Sequence, residues 1–161
     1  MNRRLEEFLA SRLAKYEVVS HPEAFTAQEQ AAAAHTSGWS WAKVVLVKKE
    51  DGFAVVALPA CCVIDLGCLR GLIGRGEVEL ASVEEILRVA PDCEPGAIPP
   101  FGQLFGLPTF ADETLVNRRE ITMPAGDRGT ALRMRAAEFV RLAAPRVGHF
   151  AVQESLIAPG P

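Results

Sequence analysis

The spacing of apolar residues changes several times along the chain, and each change predicts a new element. Residues 3–15 carry apolar side chains at helical spacing, which predicts an amphipathic first helix. The run 16–21 predicts a short strand. The runs 41–49 and 53–60 are rich in valine and flank an Asp-Gly pair, which predicts a β-hairpin. Because both runs are almost continuously apolar, we expect both faces of these strands to be covered.

Capping signals mark where further helices begin. In TAQE at 26–29 and SVEE at 82–85, a hydroxyl residue precedes a glutamate by three positions, which is a capping box. Residues 63–73 have helical spacing, and Gly74 is suited to end that helix. The remaining predicted elements are strands at 77–80, 107–112, 119–124 and 130–136, a short turn or helix around 112–117, and a closing helix at 136–145.

The order of these elements predicts an α/β fold of the mixed type. Helices and strands do not alternate strictly, as they would in a doubly wound sheet. No GxGxxG follows a predicted strand and no P-loop is present, so the main support for a nucleotide-cofactor fold is missing. With 161 residues, we expect one domain over 1–161, with a loose tail from 152 to 161.

Composition and charge narrow the setting. The chain is 49% hydrophobic and 23% charged, which is typical of a globular protein. No apolar run is long enough to span a membrane, and the charged N-terminal segment has no apolar core of the kind that signal peptides have. We therefore expect a cytoplasmic protein with no membrane partner.

The net charge of −3 argues against a protein that coats nucleic acid, and we expect no DNA partner. The charge is uneven, however. Residues 118–146 hold seven arginines against three carboxylates, whereas 77–94 is strongly acidic. The basic third either contacts phosphates or is an ordinary solvated surface.

The usual catalytic and metal-binding signatures are absent from the sequence. Four cysteines show no CxxC spacing, the three histidines are far apart, and neither GxSxG nor HExxH occurs. We expect no metal and no cofactor. The adjacent Cys61 and Cys62 are interpreted as small buried hydrophobes, with a reactive thiol as the alternative.

Two features remain as candidates for chemistry. Lys43 is the only charge within 38–47, so it is either a solvated strand end or a fixed cation suited to a phosphate. The segment GAIPPFG at 96–102 is stiff and apolar, since Pro99 and Pro100 fix the backbone and Gly96 permits close approach. It is either a rigid turn or the wall of a binding site whose amides hold a carbonyl or oxyanion.

Together these segments resemble the YbaK/EbsC family of aminoacyl-tRNA deacylases, which includes the editing domain inserted in bacterial prolyl-tRNA synthetases. The resemblance covers about 15–150 and rests on the order of SHPEAFTAQEQAAA, AKVVLV, CEPGAIPPFG, FADETL, ITMPAG and ALRMRAAEF. Neither the GxxxP loop nor Lys43 is specific alone, but their combination is fairly specific. Many relatives have Asn where this chain has Pro124 and Thr where it has Val44.

The resemblance implies a fold and an activity. The fold is a barrel-like mixed sheet surrounded by helices. The activity is trans-editing, in which a wrongly attached small amino acid is removed from tRNA by hydrolysis of the aminoacyl ester. In this family positioning replaces a protein nucleophile, and the ribose hydroxyl of the substrate helps to activate water. The implied partners are the acceptor end of aminoacyl-tRNA and an aminoacyl-tRNA synthetase.

The resemblance also assigns roles to residues. Lys43 anchors a phosphate near the acceptor end, and the backbone at Gly96 orients the ester carbonyl, so these two are the expected catalytic residues. The residues expected to bind substrate are His21, Thr26, Ala97, Ile98, Pro99, Pro100, Phe101, Gly102, Asp112 and Gly126. We expect the ammonium of Lys43 and the 96–100 turn to face each other across a cavity.

Two other functions stay open from the sequence. The chain is alternatively a non-catalytic module that binds an aminoacyl group, a tRNA or a synthetase, for which the arginine-rich C-terminal third is suited. A third function is hydrolysis of a different small ester or amide in the same pocket. A panel of aminoacylated tRNAs and small esters separates the three.

Overall fold

A computed structural model gives the structure of the chain and describes residues 1–154. The helices are α1 (Arg3–Ser11), α2 (Ala27–Ala33), α3 (Leu66–Ile73), α4 (Val83–Val89), α5 (Glu113–Val116) and α6 (Ala136–Ala143). The strands are β1 (Glu17–Ser20), β2 (Ala42–Lys49), β3 (Gly52–Pro59), β4 (Cys62–Ile64), β5 (Glu79–Leu80), β6 (Thr109–Asp112), β7 (Glu120–Pro124), β8 (Thr130–Arg135), β9 (Arg146–Gly148) and β10 (Ala151–Gln153). Within 1–154, no helix is long and apolar enough to cross a membrane.

The helix ends follow the capping signals in the sequence. The hydroxyl of Thr26 accepts the amide of Glu29 at 3.1 Å, and that of Ser82 accepts the amide of Glu85 at 3.2 Å. Both predicted capping boxes are confirmed, because each glutamate also reaches back to the amide of its capping residue. Gly74 ends α3 with a φ of 106°, which favours glycine and confirms its predicted place.

The largest sheet has the strand order β5-β2-β3-β6-β9. Its β2–β3 pair is the predicted antiparallel hairpin, whereas β6 runs parallel to both β3 and β9. A second, antiparallel sheet has the order β1-β8-β7, and β4 pairs with β10. One parallel bridge between Trp41 and Thr122 connects the β2 segment to β7.

The mixed α/β class is confirmed, but the barrel-like sheet is not. Among the described strands, the pairing gives three sheets with open edges, and none of them closes on itself. The structure is therefore an open mixed sheet with a smaller antiparallel sheet against it.

Side chains pack on both faces of the central hairpin, as its continuous apolar runs predict. One face meets a core that contains Leu9, Phe101 and Phe139, all fully buried. The other face, which carries Leu58, packs with α3 and Phe150. Val56, Ala57 and Leu58 of β3 alternate between these two clusters, because successive residues of a strand point to opposite faces.

Three short strands were not predicted from the sequence. β4, β9 and β10 have three residues each, too few for a clear period. Val152 pairs with Val63 and Gln153 with Cys62, which corrects the expectation of a loose tail at these two residues. The end of that predicted tail, 155–161, lies outside the described residues.

Candidate functional site

The turn at Gly96 is held against the start of α2. Gly96 has a φ of 84°, and a Cβ there would lie 2.9 Å from the carbonyl oxygen of Phe25, so close packing and conformation both require glycine. The side chain of Gln30, which is 1% exposed, donates from Nε2 to the carbonyl oxygen of Gly96 at 3.1 Å. Gln30 was not singled out from the sequence, where nothing separates it from the neighbouring glutamine and alanines.

Gly126 fixes the other side of this loop. Its amide donates to the carbonyl of Ala97 at 2.9 Å, and its own carbonyl accepts from the amide of Glu94 at 2.8 Å. Gly126 also has a positive φ of 102°. The structure thus brings Gly126 together with the 96–100 turn, and the turn is clamped between α2 and the β7–β8 connection.

The apolar side chains of the loop point into the protein. Phe101 is fully buried between Phe8 and Phe139, with ring centroids 5.2 and 5.9 Å away. Ile98 is 6% exposed and packs with Ala90 and other buried residues. Both side chains support the loop from within the core, and their contact with substrate stays a prediction.

The rest of the loop has few free donors. Pro99 and Pro100 are buried and have no amide hydrogen, and the amide of Ala97 donates to the carbonyl of Glu94 at 3.0 Å. The amides left for a ligand in 96–100 are therefore those at 96 and 98. The amide of Gly102 donates to Oγ1 of Thr109 at 2.8 Å and is not available to a ligand, so the predicted substrate contact of Gly102 stays a prediction.

Lys43 lies near the start of β2 and is half-buried. Its ammonium donates to the carbonyl oxygen of Cys62. Within residues 1–154, no carboxylate lies within 4 Å of the ammonium. Burial lowers the pKa of Lys43 from its ordinary value, because desolvation disfavours the charged form. The carboxylate of Glu154 raises the pKa of Lys43 but offsets burial only in part. The result is a half-buried cation near the start of β2 with no direct ion pair among the described residues.

The structure does not bring Lys43 into contact with the GxxxP loop. Val44 packs with Ile98 and the residues around it. Lys43 is the preceding residue on β2, and its cross-strand partner Leu58 belongs to the core on the other face. Because neighbouring strand residues point to opposite faces, the Lys43 side chain and Ile98 lie on opposite faces of β2. The expected arrangement, with ammonium and turn facing each other across a cavity, is not supported.

Helix α2 lies between these two parts of the predicted site. On one side Gln30 binds Gly96. On the other, Gln28 donates to the carboxylate of Glu154, and the amide of Glu154 binds the carbonyl of Cys61, next to the residue that holds Lys43. The two predicted catalytic residues therefore flank one short helix.

His21 and Trp41 lie beside this helix and have unusual polar atoms. Their rings meet edge to face, with centroids 5.8 Å apart, and Trp41 packs with Ala31 and Ala34 of α2. Nδ1 of His21 donates to the carbonyl of Pro22 at 2.9 Å, so Nε2 of the neutral ring is an acceptor. Within 1–154, neither Nε2 of His21 nor Nε1 of Trp41 has a partner, although both are buried. Sequence reasoning missed Trp41, which resembled an ordinary strand aromatic.

The structure gives Thr26 and Asp112 structural tasks. The hydroxyl of Thr26 caps α2. Asp112 is fully buried, and its carboxylate accepts the amides of Phe150 and Ala151 at 2.8 Å each and both the amide and the hydroxyl of Thr114. These bonds occupy both carboxylate oxygens and give Asp112 a structural role, and its contact with substrate stays a prediction.

Cys62 and Cys93 are buried packing residues, whereas Cys61 is half-buried and Cys68 is exposed. Burial raises the pKa of Cys62 to about 12 and that of Cys93 to about 11, so both thiols stay protonated at neutral pH. All four cysteines are free thiols. Across the described part of the chain, no three His, Cys, Asp or Glu side chains come close enough to hold a metal ion.

Comparison with solved structures defines the class of this fold. A crystal structure described as a proposed trans-editing enzyme for prolyl-tRNA synthetase is 26% identical, with a TM-score of 0.82 over 93% of this chain and 96% of that chain. The hypothetical protein APE2540 is 19% identical, with a TM-score of 0.83 over 93% and 100% of the two chains. A proposed signal transduction protein from Marinobacter aquaeolei VT8 is also 19% identical, with a TM-score of 0.78, and this chain covers 32% of it.

The class is that of a compact editing-type α/β domain. The sequence pattern of the aminoacyl-tRNA editing domain matches residues 21–142, so the chain belongs to that family. A search of curated proteins found no match. Family membership confirms the resemblance drawn from the sequence and supports an aminoacyl-tRNA editing function in general.

Proposed function

We propose that the protein is a trans-editing hydrolase that removes a wrongly attached small amino acid from tRNA. Water adds to the ester carbonyl carbon, the bond from that carbon to the ribose oxygen breaks, and the ribose oxygen takes up a proton. Family membership and the likeness to a proposed trans-editing enzyme support the substrate class. The partners are the acceptor end of aminoacyl-tRNA and, for recruitment, an aminoacyl-tRNA synthetase.

The observation that carries the proposal is the ammonium of Lys43. It is half-buried, it has one carbonyl partner, and no carboxylate of the described chain lies within 4 Å. A phosphate of the acceptor end supplies the missing negative charge, and a lysine suits it as a point charge. Lys43 therefore anchors the RNA end beside Trp41, two residues earlier on the same strand segment.

The ring nitrogens of His21 and Trp41 suit an aminoacyl ester. The ester offers a carbonyl oxygen, which accepts a hydrogen bond, and an α-ammonium, which donates one. Trp41 presents a donor and His21 an acceptor, side by side. Both nitrogens are covered by protein atoms, so the ester reaches them only after the surrounding side chains move. The alanines of α2 that pack on Trp41 favour a small amino acid there.

Catalysis in this proposal rests on positioning. The clamped turn at Gly96 keeps the backbone between α2 and the β7–β8 connection in one conformation. Through Gln30 the turn fixes α2, against which Trp41 packs, so the N–H of Trp41 orients the ester carbonyl and the ribose hydroxyl of the substrate assists the attacking water. Fixed donors of this kind stabilise charge that develops in the transition state without reorganising. In this proposal Lys43 anchors the phosphate as predicted, whereas Gly96 supports the site from the other side of α2.

A panel of tRNAs charged with alanine, serine, threonine, cysteine or proline tests the proposal. We expect the parent to release at least one amino acid. Lys43→Gln should lower kcat/KM for that tRNA by about 10–100-fold, the scale of one hydrogen bond to a charged group. Trp41→Phe, which removes the N–H donor together with part of the buried ring, should also slow release. The exposed Lys15→Gln is the matched control and should match the parent.

Three results would contradict the proposal. Equal rates for Lys43→Gln and the parent on every tRNA would remove the role of Lys43. Binding of charged tRNA with no ester loss across the panel would favour a non-catalytic module. Turnover of a small ester without any tRNA turnover would point to a different hydrolase.

A further inference from the structure

A polar cavity of about 530 Å³ lies where the segment after α2 meets the turn between α5 and β7. Three arginines line it, Arg118, Arg119 and Arg133, against the single carboxylate of Glu120. Four hydroxyl side chains complete much of its polar wall. None of the residues that the sequence predicts to bind substrate lines this cavity.

The arginines are held mainly by neutral groups. Nε of Arg118 donates to Oγ of Ser40 at 3.0 Å, and Nε of Arg133 donates to Oγ1 of Thr122 at 3.4 Å. Arg133 also lies 3.8 Å from Glu17, whose side chain is 73% exposed, and such a pair in water is weak. In the described part of the chain, Arg118 and Arg119 form no ion pair. The cavity therefore has excess positive charge.

The polar groups of the cavity are also positioned by the sheet. Thr122 and Arg133 are cross-strand partners on β7 and β8, so their side chains share one face. The carbonyl of Arg119 accepts the amide of Ala136 at 3.0 Å, which fixes the turn that carries Arg118 and Arg119. Guanidinium groups held in this way match the oxygens of a phosphate in a bidentate manner.

The cavity adjoins the site of the proposed ester hydrolysis. The amide of Thr122 binds the carbonyl of Ser40 at 2.9 Å, and the next residue, Trp41, forms the bridge to Thr122. We propose that this cavity binds a phosphodiester of the RNA whose end carries the aminoacyl ester. This inference rests on the proposed function and adds a second phosphate contact, distinct from that of Lys43. The volume is within the usual range of ligand sites.

Binding of uncharged tRNA, measured against salt concentration, tests this inference without any hydrolysis. The double variant Arg118→Gln/Arg119→Gln should weaken binding by roughly tenfold and reduce the salt slope by about one for each arginine. Arg75→Gln/Arg88→Gln removes two exposed arginines elsewhere and is the matched control, expected to bind as the parent does. Thermal melts of each variant report folding.

Each outcome has one meaning. Equal affinity and equal salt slope for the double variant and the parent would overturn the inference, even if deacylation is found. Weakened tRNA binding would uphold it, even if no amino acid is released. If the double variant binds inorganic phosphate more weakly than the parent but binds tRNA equally well, the site holds free phosphate and the RNA assignment fails. Should the glutamine variant misfold, Arg118→Lys/Arg119→Lys decides, with weaker binding at an unchanged slope expected.

Discussion

Replacing Asp112 by asparagine tests whether this buried carboxylate is a structural anchor. One oxygen accepts the amides of Phe150 and Ala151 at 2.8 Å, and the other accepts the amide and hydroxyl of Thr114. The side-chain amide of asparagine keeps an oxygen for the first pair. Its NH₂ group then faces the amide of Thr114, which loses its acceptor, although the hydroxyl of Thr114 can turn to accept from the NH₂ group.

The magnitude follows from these contacts. A buried donor left without a partner costs roughly 1–3 kcal/mol, and a bond to a neutral oxygen is about half as strong as one to a charged oxygen. We therefore expect Asp112→Asn to lower the free energy of unfolding by about 3 kcal/mol. For a chain of this size, that corresponds to a fall in Tm of roughly 6–12 °C.

The effect also depends on pH. Burial is the largest influence on Asp112 and raises its pKa, but the hydrogen bonds from Phe150, Thr114 and Ala151 together outweigh it, so the pKa lies below the ordinary value. A carboxyl group whose folded pKa is lowered contributes stability that is complete above the unfolded pKa of about 3.9. That contribution is lost as pH falls through the folded pKa. The difference between Asp112→Asn and the parent should therefore be full at neutral pH and shrink in acid.

Thermal unfolding at a series of pH values measures this difference. The control is Asp51→Asn, an exposed carboxylate that pairs with Lys49, which should leave Tm unchanged. If Asp112→Asn unfolds at the same temperature as the parent, or if the difference stays constant down to pH 3, the carboxylate is not the anchor described here. The Asp112 carboxylate would then be available to bind substrate, as the sequence predicts.

Two further substitutions test the clamped loop. Gly126→Ala should cost roughly 3 kcal/mol, because φ is 102° and the new Cβ would lie 2.5 Å from Cβ of Asn2, whereas Gly106→Ala, at a φ of 67° with open space around it, should cost about 1 kcal/mol. Equal losses of stability would show that the contact with Asn2 is unimportant. Phe101→Ala should cost about 3–5 kcal/mol by opening a cavity in the core. A loss below 1 kcal/mol in urea unfolding would mean that Phe101 is not core.

Local signals in the sequence predicted much of the fold. Asp51 and Gly52 predicted the hairpin turn, and Thr26 and Ser82 predicted two helix starts, because turn and cap chemistry acts within a few residues. The pairing of β4 with β10 joins segments far apart in the chain. Next to this pair, the amides of Phe150 and Ala151 donate to the carboxylate of Asp112. A hydrophobic pattern within one segment does not predict contacts of this kind.

The candidate site was less predictable for a related reason. The apolar residues of the GxxxP loop indicated a sheltered surface, but the sequence does not say which side of a loop faces inward. Phe101 turns into the core because Phe8 and Phe139 leave a space there. The face on which Lys43 lies depends on the register of β2, which was predicted only as a strand.

Gln30 has one consequence for the loop beyond its own contacts. Its Nε2 lies 3.2, 3.4 and 3.1 Å from the carbonyl oxygens of Ala24, Phe25 and Gly96, although an amide group has only two hydrogens to share among them. The conformation of the turn thus depends on the Gln30 side chain of α2 as well as on Pro99 and Pro100. A GAIPP segment grafted into another scaffold would lose that conformation unless the scaffold also supplied equivalents of the Gln30 side chain and of Gly126.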